Sequence, residues 1–202
     1  MQVNSTPSYL EVLERAAIAY RTHQRDRPSS QEVVQALVAA EKAAKREHLV
    51  LPFDAMAGQW RLCFTAGRAA HQKENTILGR GWYLPQGVPA HISFYPDGTM
   101  GDQAGTITNQ ITLAGLTLQF SGVCRYLGRK NIVAFDFVKL QIQVLGRSLW
   151  QTDVRGGTAR VEDVLSGMVQ KLPFFAFFAA TENFIAARGR GGGLAIWVKD
   201  SQ

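Results

Sequence analysis

Histidine, cysteine, serine and paired carboxylates carry most catalytic and metal chemistry, and here their spacing supports neither. The four histidines, His23, His48, His71 and His91, are scattered, without HxxxH or CxxC spacing and without a cluster around Cys63 or Cys124. A zinc site takes several such ligands at short fixed spacings, so no metal is expected. A nucleophilic serine on a strand-to-helix elbow follows the pattern GxSxG, and the nearest run, Gly146-Arg147-Ser148, reads as a turn. Asp97, Asp102, Asp136 and Asp153 fall on expected turns or strand faces, the usual setting of solvated acids. No catalytic residue and no cofactor is assigned, and the chain is expected not to be an enzyme.

The glycine run from Gly189 to Gly193 invites two further readings, a phosphate cradle and an RGG-type RNA contact. A phosphate loop follows a strand and opens a helix, whereas Leu194 to Val198 has the alternation of a strand. An RGG segment belongs in a disordered tail rather than between two strands. The run is therefore expected to be a hairpin turn.

What remains is the chemistry of binding, and the composition bounds it. The chain has 202 residues, 46% of them apolar and 19% charged, enough for one globular domain with a small appendage. Its net charge of +6 favours polyanionic partners such as an anionic lipid surface. The densest basic piece, Lys42, Lys45, Arg46 and His48, sits on an expected helix and reads as a solvated face. Nucleic acid is not expected: Trp60, Phe64, Phe94, Phe120, Phe135 and Phe137 occupy core alternation positions and are not flanked by regularly placed Arg and Lys. Cys63 and Cys124 lie singly on expected strands, the pattern of buried thiols in a reducing compartment, and a disulfide between them is left open. The start, MQVNSTPSYLEVLERAA, lacks the signature of a secretory or transit peptide. The longest apolar run, Leu172 to Ala180, is half of the ~18 residues that span a bilayer.

The elements that must position any binding site change character at Pro52. Before it, residues 1–51 read as a helical lead-in. Thr6 and Pro7 can open one helix carrying Leu10, Leu13, Ala17 and Tyr20, and a Ser29/Glu32 capping box opens a second carrying Val33, Leu37, Ala40 and Ala44. After it, residues 52–202 alternate with period two between short turns. Ala114-Gly115 and Gly146-Arg147-Ser148 mark two reversals, and a parity slip near Val138 and Lys139 demands a bulge or a tight corner. About eight to ten strands are expected, near the number that closes an antiparallel barrel around one small ligand. The fold class is thus mainly β, a barrel with two N-terminal helices. Inward side chains that would line a ligand cavity are Trp60, Leu62, Phe64, Ile92, Phe94, Leu118, Phe120, Phe135, Phe137 and Ile142.

Phe174, Phe175, Phe177 and Phe178 are apolar on both parities. They are either buried on two sides, capping the barrel as a lid, or presented to a membrane interface.

The pair Gly58-x-Trp60 on the first strand is similar to the lipocalin and wider calycin pattern. Together with GQWRLCFTAG (58–67), PFF (173–175) and TENFIAARGRGGGLAIWVKD (181–200), it resembles the plastid lipid-associated protein, or fibrillin, family of plastids and cyanobacteria. The likeness runs from Ala57 to Asp200. It departs at Leu49-Val50-Leu51-Pro52-Phe53, where the family usually has a proline-rich Asn-Pro-Thr segment, so the chain resembles a divergent, cyanobacterial-type member.

The resemblance implies a lipocalin-like barrel closed by Gly58, Trp60 and Arg188, the arginine stacking on the indole. It implies non-enzymatic binding of an isoprenoid, carotenoid or acyl lipid at or near thylakoid membranes or lipid bodies, in a protein that is cytoplasmic or peripheral to the thylakoid. The expected partners are the hydrophobic ligand, an anionic membrane touched peripherally through the aromatic cluster and the positive charge, and, in the alternative below, a protein partner. The alternative is a scaffold for a lipid- or isoprenoid-synthesis enzyme, with no ligand in the barrel.

Overall fold

The computed structural model describes residues 8–68, 70–73, 76–101, 103–154, 161, 164 and 172–200. Two helices come first. Helix α1 (Tyr9–Arg21) opens on Ser8, not on Thr6, which lies outside the described residues. Ser8 and Glu11 form a reciprocal capping box, which satisfies two amide donors that no helical turn can reach. Helix α2 (Ser30–Arg46) opens on the expected Ser29/Glu32 box. Neither helix forms a core alone. Leu13, Ala17 and Tyr20 of α1 and Val33, Leu37 and Ala40 of α2 pack together on the outer wall of a barrel.

The strands are β1 (Gly58–Ala66), β2 (His71–Lys73), β3 (Thr76–Leu78), β4 (Gly81–Tyr83), β5 (Ala90–Pro96), β6 (Ala104–Leu113), β7 (Leu116–Leu127), β8 (Ile132–Val144), β9 (Arg147–Asp153), β10 (Phe174–Ala180), β11 (Phe184–Gly189) and β12 (Leu194–Lys199). The circuit β1-β5-β6-β7-β8-β10-β11-β12 closes on itself through the β1–β12 pairing, every step antiparallel. This is a closed eight-stranded barrel with two helices, mainly β as expected and consistent with a lipocalin-like architecture.

Strand β8 changes partner along its length. Ile132–Ala134 pair with β10, whereas Lys139–Val144 pair with β9. The ring is therefore complete at one end, and β6 to β9 continue past the other as a four-stranded wing.

Bulges set which side chains face inward. On β8, Phe137 opposes Gly122 and Lys139 opposes Ser121, leaving Val138 as the extra residue at the expected parity slip. A β-carbon on Gly122 would collide with the carbonyl of Asp136, so the close approach at this corner requires glycine. On β1, Leu62 opposes Trp197 and Phe64 opposes Ile196, which leaves Cys63 extra. Phe64 therefore does not share the inner face with Trp60 and Leu62; it packs outward beneath the helices with Cys63. On β10 the extra residue is Phe178.

Candidate functional site

The completed end of the barrel is filled by side chains. Trp60, Phe94, Ile107, Cys124, Tyr126, Val133 and Ile185 pack against one another there. The 3-10 turn Phe53–Met56 covers this end: the Trp60 indole donates to the Met56 carbonyl at 2.8 Å, and Phe53 stacks on Tyr126 at 5.3 Å between centroids.

The cation on Trp60 is Lys199, not Arg188. Lys199 stands opposite Trp60 in the β1–β12 ladder, with its Nζ 4.4 Å from the indole centroid, and it donates to the Ala57 carbonyl at 3.0 Å. Gly58, with φ +106°, passes directly under that ammonium. Arg188 lies at the far end of β11, opposite Leu194, with the outward parity of Phe184 and Ala186. It reaches Glu41 of α2 instead. Register decides between the two cations, because only Lys199 is a cross-strand neighbour of the indole.

Above the filled layers lies an aromatic floor. Phe175 stacks on Phe135 at 5.2 Å and meets Trp197 edge-on at 5.3 Å, and Phe177 meets Phe94 edge-on at 5.7 Å. Over this floor a cavity of about 340 Å³ opens to solvent. Its wall includes Leu62, Ala90, Ile92, Asn109, Phe175 and Trp197, with the Gly189–Gly193 turn at its rim. The inner face of the wing prolongs this wall, since Phe120 and Phe137 lie 5.7 Å apart and Leu118 and Ile142 are cross-strand partners.

The expected ligand-lining residues separate into distinct places. Leu62 and Ile92 line the cavity; Leu118, Phe120, Phe137 and Ile142 share the wing face that runs into it. Trp60 and Phe94 are buried in the filled base, Phe135 belongs to the floor, and Phe64 is outside the barrel. Ala90, Asn109, Ala195 and Trp197 line the cavity and were not singled out from sequence. The available signal was the alternation Ala195-x-Trp197 in the last strand, together with the small Ala90 two strands away.

Phe174, Phe175, Phe177 and Phe178 pack on both sides of the barrel wall, as the buried alternative required, but they do not cap the barrel. Phe175 and Phe177 point into the barrel, Phe178 lies beneath the helices, and Phe174 packs outward with Leu172 and Val164. The bulge at Phe178 allows one aromatic run to serve both sides of the wall.

The site offers little to acid–base or nucleophilic chemistry. His91 borders the cavity but alternates with inward Ala90 and Ile92, and its Nε2 lies 2.8 Å from the Asp200 carboxylate. Burial pushes the Cys124 thiol up to about 12 and raises the Cys63 thiol as well, so both stay protonated. The two thiols are free and lie on opposite sides of the barrel wall. Among the described residues no group of histidines, cysteines and carboxylates could hold a metal ion, and no helix is long and apolar enough to cross a membrane.

Fold and site together define a lipocalin-like barrel, filled at one end and open at the other through a mainly apolar mouth. No protein-family model matches the chain, and no curated protein matches it.

Proposed function

We propose that the protein binds an apolar small molecule in the open mouth of the barrel, without transforming it. The observation that carries this reading is the cavity of about 340 Å³, its walls mainly aromatic and aliphatic, continuous with the inner face of the wing. Its volume is at the lower end of small-molecule pockets. A ring or chain end fits within it, and the remainder of a long ligand lies along Leu118, Phe120 and Ile142. Binding gains from removing apolar surface from water, about 25 cal/mol per Å² before the cost of immobilising the ligand. Asn109, exposed on a mainly apolar inner face, is positioned to hydrogen-bond a polar end group.

Isoprenoids, carotenoids and acyl lipids have this chemistry, and the resemblance to plastid lipid-associated proteins supports them, with a place at or near thylakoid membranes or lipid bodies. The test is organic extraction of protein purified from a lipid-containing lysate, followed by mass spectrometry. A stoichiometric isoprenoid or acyl species is expected; its absence from extracts of native protein would contradict the reading.

The filled base favours a second reading, in which the barrel is a scaffold for a lipid- or isoprenoid-synthesis enzyme. A stable complex with such an enzyme, formed by protein that carries no lipid, would select it.

A further inference from the structure

The wing that borders the cavity ends in two hairpins whose tips lie side by side. One reverses at Ala114-Gly115 and the other at Leu145-Gly146. They are joined, because the Leu145 amide donates to the Gly115 carbonyl at 2.8 Å. Leu145 also lies across Gly115, where an added β-carbon would meet its Cδ2 at 3.0 Å.

These tips present apolar side chains to solvent. Leu145 is 83% exposed, Leu149 68%, Leu113 59% and Trp150 50%, with Leu116 beside them. Ile111 and Val144, also exposed, stand on the wing strands beside the tips, whereas Leu10, Val50, Trp82 and Tyr95 belong to separate elements.

Leu145 is also costly in its backbone. Ala114 and Gly115 have φ of 48° and 83°, and Leu145 and Gly146 have 47° and 78°, the signs of two-residue primed turns. The first position of such turns favours Asn, Asp or Gly, which tolerate the left-handed region or hydrogen-bond within it. A leucine there loses both conformational and hydration free energy, so folding alone does not account for it.

Charge decides what covers the tips. From Ala104 to Cys124 the chain has no charged residue, and from Leu140 to Thr152 the only one is Arg147. The remaining polar side chains are Thr, Asn, Gln and Ser. Contact with a lipid headgroup layer therefore desolvates no carboxylate and places one guanidinium at phosphate depth, in a chain of net charge +6. Trp150 has the amphipathic ring that concentrates at membrane interfaces.

We propose that the paired tips, Leu113–Leu116 and Val144–Trp150, dock the protein on an anionic lipid bilayer and turn the barrel mouth toward it. Docking extends the ligand-binding reading without depending on it. The apolar inner face then forms a continuous path from the bilayer to the cavity.

The experiment is flotation of the full chain with phosphatidylglycerol/phosphatidylcholine vesicles and with phosphatidylcholine alone. Native protein is expected to float with the anionic vesicles. Leu145→Asn combined with Leu149→Ser should weaken partitioning about tenfold or more, and Arg147→Gln should reduce the dependence on anionic lipid. Leu145→Asn alone should melt no lower than the native protein, because asparagine suits the turn, so lost flotation is not lost folding. In a Trp82→Phe background, where Trp60 and Trp197 are buried, the solvent-exposed component of the emission should come from Trp150, shift to the blue and be quenched by brominated acyl chains. Equal flotation of the Leu145→Asn/Leu149→Ser variant, or no flotation of native protein, would overturn the proposal. So would a concentration-dependent dimer, seen by sedimentation and abolished by the same substitutions, since a second copy would then cover the tips. Isoprenoid binding measured without vesicles separates the two readings: protein that floats but binds no ligand retains docking and loses the binding function.

Discussion

Arg188 reaches out from β11 to Glu41 of α2, donating from Nε to Oε1 at 2.9 Å and from Nη2 to Oε2 at 2.6 Å. The same guanidinium donates to the carbonyl of Ala70 at 3.0 Å, so one side chain ties helix, barrel wall and the loop after β1 together. Both partners are largely withdrawn from water, with side chains 22% and 12% exposed. Removing one leaves the other poorly solvated. Arg188→Ala should therefore lower stability by on the order of 3 kcal/mol. Arg190, which donates to the Leu172 carbonyl at 2.6 Å from the exposed turn, should matter less when replaced by alanine. Chemical denaturation of the two variants checks the order.

The same ion pair makes stability depend on pH. Burial alone would raise the Glu41 carboxyl, but hydrogen bonds from Arg188 and Lys45 outweigh it and hold the group below its ordinary value of 4.5. A carboxylate lowered in the folded state stabilises fully above its unfolded pKa, and that contribution is lost as pH falls through the folded value. The native protein should thus lose stability below pH 4.5 more steeply than Glu41→Gln, in melting curves taken from neutral to acid pH.

Lys199 closes the base of the barrel on Trp60. Lys199→Ala should cost about 0.5 to 2 kcal/mol through the lost cation–π contact. Gly58→Ala should be at least as harmful, since φ +106° is strained for alanine and the added β-carbon would lie 2.7 Å from the Lys199 ammonium. Thermal melting of both variants tests the closure.

Phe178 is buried between the wall and the helices. Phe178→Ser should destabilise by about 3 kcal/mol or more, through a cavity and an unpaired hydroxyl. Loss of folding in circular dichroism is expected; a stably folded variant would contradict the burial.

Much of the architecture was legible in the sequence because its signals are local. The Ser29/Glu32 box, the helical spacing of Val33 and Leu37 and the alternation after Pro52 each act within a few residues. Inward and outward assignments were legible only where alternation is unbroken. At Cys63 and Phe178 a bulge adds one residue and reverses every side chain beyond it, and both faces of the wall are apolar because the helices cover the outer one. That is why Phe64 reads as lining and lies outside. The exchange of Arg188 for Lys199 has the same origin, since which cation meets Trp60 depends on strand register across the barrel. The cavity was hidden for another reason: its space comes from small residues, Ala90 and Ala195, which carry no pattern of their own.

The central claim, that the barrel mouth holds an apolar ligand, is tested most directly by titrating native protein and Ala90→Phe with a fluorescent polyene fatty acid and following energy transfer from tryptophan. Ala90 and Trp197 both line the cavity, so phenylalanine at position 90 fills space the ligand needs. Saturable one-to-one binding by native protein, at least about tenfold weaker in a variant that melts normally, is the predicted result. Non-saturable binding, or equal binding by Ala90→Phe, would contradict the account.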